Sequence, residues 1–172
     1  MIRVAGIVRE SVTDGPGIRY TLFVQGCPHR CKGCHNPQTL DFDGGYLMSA
    51  EEIFNDIKKN PLIRGVTFSG GEPFYQSENL IPLAKMLKEA GYELAIYTGY
   101  LFEDLIKDKD GPMYKLLCLA DTIVDGPFDI TKRDLTLKFK GSSNQRIIDV
   151  KKSLELGRAV LDETERWNKV PL

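Results

Sequence analysis

The sequence predicts an α/β fold, an incomplete parallel (β/α) barrel of about five to six strands. Three observations lead there. Strand-like runs alternate with amphipathic helical stripes along most of the chain. The stretches between successive strands carry those stripes, which suits parallel pairing through right-handed crossovers. Each segment rich in cysteine or glycine falls directly after a predicted strand, at the carboxyl end where barrels and open α/β sheets build their sites.

Residues 18–26, "IRYTLFVQG", read as the first parallel strand, with Ile18, Tyr20, Leu22 and Val24 on one face. Ser49 and Glu52 have capping-box spacing and open a helix whose inward residues are Ile53, Phe54 and Ile57; Pro61 limits it. "GVTFSGG" (65–71) is a short buried strand running into glycines. A helix over 79–90 shows Leu80, Leu83, Ala84 and Leu87 as its stripe, with Pro82 in its first turn and Gly91 as its cap. "ELAIYTG" (93–99) is the next strand. A helical region broken near "KDKDGP" (107–112) follows, with Met113, Leu116, Leu117 and Ala120 facing inward. Residues 121–126 and 146–150 read as two more strands. Residues 135–139 alternate like a strand but also suit an ordered loop, and 153–161 reads as a terminal helix. Five strands are too few to close a barrel.

The 172 residues suggest a single domain, 1–172, able to bury roughly 68–70% of its unfolded surface without a disulfide. Lys plus Arg number 23 against 24 Asp plus Glu, so no global basic field draws in nucleic acid or an anionic membrane. The N-terminal stretch lacks a signal-peptide core, and no run approaches the length of a membrane span. A cytoplasmic location is expected. Thiols there stay reduced, so clustered cysteines point to metal binding or catalysis.

Three of the four cysteines, Cys27, Cys31 and Cys34, share the loop "GCPHRCKGCHN", together with both histidines, His29 and His35. The spacing is Cys-x3-Cys-x2-Cys. A structural zinc site takes four ligands, and either histidine could be the fourth. A cubane [4Fe–4S] cluster normally takes four cysteines; on three, one iron stays open to another ligand. Cys118, in a predicted helix among apolar neighbours, reads as a core thiol in either case.

The flanks separate these readings. "DGPGIRYTLFVQGCPHRCKGCHNPQT" (14–39) followed by "SGGEP" (69–73) resembles the radical S-adenosylmethionine superfamily, and within it the activating enzymes of glycyl radical enzymes. "YTGY" (97–100), "DTIVDGPF" (121–128) and "GSSNQRIIDV" (141–150) carry the resemblance to the group that activates anaerobic ribonucleoside-triphosphate reductase. Pyruvate formate-lyase activases and small modification enzymes of the same superfamily are the rivals.

The resemblance implies that Cys27, Cys31 and Cys34 ligate three irons of a [4Fe–4S] cluster and that S-adenosylmethionine chelates the fourth. It implies reductive cleavage of the cofactor and removal of a Cα hydrogen from one glycine of the partner reductase. The electron is expected from a small flavodoxin- or ferredoxin-like carrier. Gly70 and Gly71 would let backbone approach the cofactor, Glu72 would pair with its ammonium group, and Pro73 would stiffen the turn. His35 and Asn36 directly follow the last ligand, and His35 is a candidate contact. Gly33 precedes Cys34 where the superfamily usually has an aromatic residue near the adenine. Thr98 and Asp125 are further candidates, Asp125 for the ribose or methionine moiety, each with a structural role as the rival reading. Arg19 reads as a structural ion pair beneath the cluster loop, His29 as partly exposed, and basic 132–146 as surface, partner dock or closure of the cofactor site.

Overall fold

The structure is a computed structural model and describes residues 1–168. Its strands are β1 (Ile2–Ser11), β2 (Arg19–Val24), β3 (Tyr46–Met48), β4 (Gly65–Gly70), β5 (Glu93–Tyr97), β6 (Thr122–Asp125) and β7 (Arg146–Asp149). Its helices are α1 (Ala50–Lys58), α2 (Ser77–Glu89), α3 (Phe102–Leu105), α4 (Pro112–Leu117), α5 (Val150–Leu156) and α6 (Glu165–Asn168). The seven strands form one open sheet in the order β3-β1-β2-β4-β5-β6-β7. Its centre, β2-β4-β5-β6, is parallel as expected.

The edges differ from expectation. β1 pairs antiparallel with β2 and with β3, and β7 pairs antiparallel with β6. The long irregular return from β6 contains no crossover helix, so β7 can lie alongside in the opposite sense. β1 and β3 bring the strand number to seven rather than five or six. Residues 135–139 are loop, and the helix expected over 153–161 is α5, which starts earlier, is ended by Gly157 in the left-handed conformation and is followed by α6.

Register explains the core. Tyr20, Leu22, Val66, Phe68, Leu94, Ile96, Ile123 and Ile148 alternate onto one face and are buried under the helices. Ser49 caps α1, its hydroxyl accepting from the Glu52 N–H at 3.1 Å, and Ile53 and Ile57 face this core. Leu80, Leu83, Ala84 and Leu87 of α2 complete it. α2 starts at Ser77, so Pro82 sits inside the helix rather than in its first turn and removes one helical hydrogen bond. Ile18 lies before β2 and is exposed, and Cys118 is exposed, contrary to expectation. The α4 stripe faces inward through Leu116 and Leu117, which turns the next residue outward.

The opposite face is more polar. It carries Arg19, Thr21 and Thr67 beside a small apolar cluster of Ala95, Val124, Ile147 and Trp167. Trp167 reaches this face from α6, against Phe139 and 5.9 Å from the Arg19 guanidinium. Arg19 is a buried structural residue, as the plainer reading had it. It lies at the amino end of β2, however, a strand's length from the cysteine loop.

Candidate active site

β2 ends at Val24 and the chain turns through Gln25 and Gly26 into the cysteine loop. The loop's base is fastened by Gly26 N–H to Thr39 O at 2.7 Å and Cys27 N–H to Leu40 O at 3.3 Å. β4 ends beside it. Gly71 N–H donates to Val24 O at 2.7 Å and Glu72 N–H to Gly26 O at 2.8 Å, so the glycine turn stays zipped to the root of the loop. Gly70 has φ +95°, a left-handed value that favours glycine. A Cβ on Gly71 would sit 2.2 Å from Gly26 O, which explains why backbone alone fits there.

These ends frame a cleft of about 610 Å³ at the carboxyl ends of the parallel strands, continuing along the polar face of the sheet. All three loop thiols line it, together with Gly70, Gly71, Thr98 and His35. Cys27 is the buried thiol of the three. Burial pushes its pKa up, and a bound metal would strip that proton. The ring of His35 packs edge-on against Phe128, 4.6 Å between centroids. Asn36 N–H donates to Cys34 Sγ at 3.4 Å, a bond that would also steady a thiolate.

Four predicted residues do not line the cleft. Gly33 is exposed on the loop, beside Ile130, and Pro73 is buried at the start of a short 3-10 turn. Asp125 is fully buried: its carboxylate accepts from Arg146 Nε at 2.9 Å and Nη2 at 2.6 Å and from Phe102 N–H at 2.7 Å. Glu72 is likewise fully buried. Its carboxylate accepts from His29 Nε2 at 2.7 Å, Thr98 Oγ1 at 2.8 and 2.9 Å, Gly99 N–H at 2.8 Å and Phe74 N–H at 3.0 Å. Every donor in that set is protein, so the carboxylate is a hub joining the ends of β4 and β5 to the cysteine loop.

His29 is the residue that sequence reasoning undervalued. Its side chain is 17% exposed and reaches the Glu72 hub. The only local sign was the glycine at 99, which leaves space for an imidazole from a distant loop. Tyr97, Asp14 and Phe128 also line the cleft without having been singled out as contacts.

The donor set fits an iron–sulfur cluster. Three soft thiol ligands line one cleft, flanked by backbone bare enough to admit a ligand for a fourth iron. Cys118 caps the C-terminus of α4 and has no part in the cleft. His29 Nε2 is not free to serve as a fourth zinc ligand, because it is bonded to Glu72.

Comparison with known proteins agrees. Residues 13–148 match the family model described as a 4Fe-4S single cluster domain. That match, with the curated relatives, makes the chain a radical S-adenosylmethionine enzyme of the oxidoreductase class, whose cofactors are a [4Fe–4S] cluster and S-adenosylmethionine. Among curated proteins, the anaerobic ribonucleoside-triphosphate reductase-activating protein of Haemophilus influenzae is 35% identical over 144 residues, covering 79% of this chain and 90% of its own. Its Vibrio cholerae counterpart is 35% identical over 145 residues, with the same coverage. The chain belongs to the anaerobic ribonucleoside-triphosphate reductase-activating protein family. The pyruvate formate-lyase-activating enzyme of Clostridium pasteurianum is 42% identical over a shorter 119 residues, 64% of this chain and 50% of that one.

Proposed function

We propose that this chain activates anaerobic ribonucleoside-triphosphate reductase by placing a radical on one glycine of that partner. The observation that carries the reading is the convergence of Cys27, Cys31 and Cys34 with Gly70 and Gly71 on one cleft, in a chain whose relatives are named for activating that reductase. Cys27, Cys31 and Cys34 would hold the cluster, which when bound supplies the electron that cleaves S-adenosylmethionine reductively.

The chain's own part is to bind, orient and shelter. The glycine turn offers backbone groups at the cleft without a side chain in the way, which suits the polar end of the cofactor. Thr98 and His35 stand on the cleft wall as further cofactor contacts, with Gly33 and Pro73 shaping the loop and turn around them. Glu72 and Asp125 act from behind the wall: filled carboxylates of this kind hold loops still, and preorganisation of that sort keeps reacting groups in near-attack geometry. The open sheet leaves a side by which a partner's loop can enter, and glycine suits the target role because no side chain blocks its Cα. A flavodoxin- or ferredoxin-like carrier in the same reducing cytoplasm would deliver the electron.

The test is electron paramagnetic resonance on an anaerobic mixture of reconstituted protein, reductant, S-adenosylmethionine and the reductase. A glycine-centred doublet is expected, absent with Cys31→Ala. The likeness to pyruvate formate-lyase-activating enzyme supports a second reading. A doublet with pyruvate formate-lyase and none with the reductase would establish that one instead. Cofactor cleavage without a protein radical on either would point to a modification enzyme.

A further inference from the structure

We propose that His29 is a positioning residue: it clamps the cysteine loop onto the buried Glu72 carboxylate and so keeps Cys27 seated in the cleft. The inference deepens the cluster-site reading, on which its relevance to catalysis rests, but the clamp itself is a property of the metal-free chain.

The anchor is rigid. Glu72 is fully buried, and Thr98, Gly99 and Phe74 hold its carboxylate from two other loops. His29 Nε2 donates to Oε1 of that carboxylate at 2.7 Å. The ring fills a prepared place: a Cβ on Gly99 would lie 2.6 Å from His29 Cδ2, and Tyr100 meets the ring edge-on at 4.5 Å between centroids. A side chain at position 99 and the His29 ring cannot both occupy that space.

The loop otherwise has little to hold it. Among the described residues, no other side chain in 28–33 makes a hydrogen bond or an ion pair, and Arg30 adopts φ +49°. The backbone is fastened at Cys27 and again at the Cys31–Cys34 turn; between them the His29 and Arg30 backbone N–H groups reach only the thiol of Cys27, within the same span. His29 is thus the one polar tie from the middle of the Cys27–Cys31 span to the sheet. A span fixed only at its ends opens locally far more often than one fixed at its centre. The cost of opening would fall on Cys27, the thiol that the loop buries.

The experiment compares wild type, His29→Ala and His29→Gln, the last keeping an N–H donor that can reach Glu72. The metal-free proteins are alkylated with iodoacetamide under anaerobic, reducing conditions, and labelling is followed cysteine by cysteine, with exposed Cys118 as internal standard. His29→Ala should speed labelling of Cys27 relative to Cys118 by about ten-fold, and His29→Gln should recover most of the protection. Reconstituted protein should show the same order in the rate at which iron is lost to a chelator. The reduced-cluster resonance should broaden in the Ala variant and sharpen again in the Gln variant.

Unchanged labelling of Cys27 in His29→Ala would overturn the proposal. So would a Gln variant that behaves like Ala, because the hydrogen bond to Glu72 would then not be the agent. Equal acceleration at all four cysteines, with a lower melting temperature, would also overturn it by making the effect global. The outcomes separate from those of the functional reading. Protection that responds as expected in a protein that never assembles a cluster leaves the clamp standing and removes the cluster site. A glycyl radical made by a protein whose Cys27 labelling ignores His29 does the reverse.

Discussion

The two ends of the parallel strands each bury a charged side chain, and they use it differently. At the amino end, Arg19 is 2% exposed and bonds to Thr67 Oγ1 at 2.8 Å, Val66 O at 3.1 Å, Pro16 O at 3.2 Å and Glu93 at 3.1 Å. Trp167 covers it, and Arg166 reaches the same Glu93 at 2.8 Å. At the carboxyl end, Glu72 is as buried and as fully satisfied, but most of its partners belong to loops around an open cleft. One charge closes an end of the sheet; the other steadies the mouth of a site. The same satisfaction of a buried charge therefore serves global stability in one place and local geometry in the other.

The largest effect expected from this contrast is at Arg19. Replacing it with Ala leaves Glu93 with a single cation, opens a void beneath Trp167 and should cost about 3 kcal/mol. Thermal melting of the metal-free protein should fall by roughly 6–12 °C. In the fraction that remains folded, cluster content should match wild type. Iron lost without a fall in melting temperature would erase the distinction between the two ends. Gly71→Ala comes next, at about 2 kcal/mol from overpacking. Because the blocked atom is Gly26 O, beside Cys27, iron content should fall together with S-adenosylmethionine affinity, read by metal analysis and titration calorimetry. Normal iron with weakened cofactor binding would instead make the turn a cofactor seat alone.

A smaller effect is expected where the cleft meets the loop between β6 and β7. The buried Tyr97 hydroxyl donates to Phe139 O at 2.6 Å, and Phe139 holds φ +61°, an uncommon value for a bulky residue. Tyr97→Phe should cost about 1 kcal/mol. Because Phe139 loses a restraint on its unfavourable backbone, trypsin should cut faster at Lys132, Arg133, Lys138 or Lys140. Unchanged cutting would show that the loop is held elsewhere, for instance by Gln145, whose amide bonds to Gly126 O, Gly141 N–H and Ser142 N–H.

The parallel centre was legible because its strands are short, apolar and followed by helical stripes, and the three thiols and two glycines were legible by their spacing. β1 was not. Its inward residues Ile2 and Val4 are followed by Gly6 and register shifts against β2, so alternation fails within a few residues. β7 was legible as a strand but not in its direction, because direction depends on where a long irregular return carries the chain. Cys118 sat next to the apolar stripe of α4 and not on it, a distinction of one residue. Glu72 and Asp125 read from the sequence as cofactor contacts, but both are buried behind the cleft. Their partners, His29 and Arg146, lie 43 and 21 residues away, and no local pattern announces such a pairing.

The smallest effect tests whether every ion pair at the carboxyl end supports the site. Arg146 joins buried Asp125 to Glu103, which it meets at 2.8 and 3.0 Å from the solvent side. The Arg146 hydrogen bond holds the Glu103 carboxyl below its ordinary value near 4.5, outweighing the upward push of partial burial. A carboxyl whose folded pKa is depressed binds its proton more tightly in the unfolded chain. Its contribution is therefore present above the unfolded value and is lost as pH falls from about 4.5 through the lower folded value. Glu103 is 52% exposed, so solvent screens the pair and the contribution at neutral pH should be about 0.5 kcal/mol. Urea melts of wild type and Glu103→Gln should differ by that amount at pH 7 and converge as the pH is taken below 4. Added salt should shrink the gap in the same direction. Iron retention should not change, because Glu103 braces Arg146 from outside while Asp125 keeps its own bonds to Arg146 and Phe102. A stability gap that widened on acidification would reverse the sign of the linkage, and loss of iron would extend the site's supporting shell out to the surface of α3.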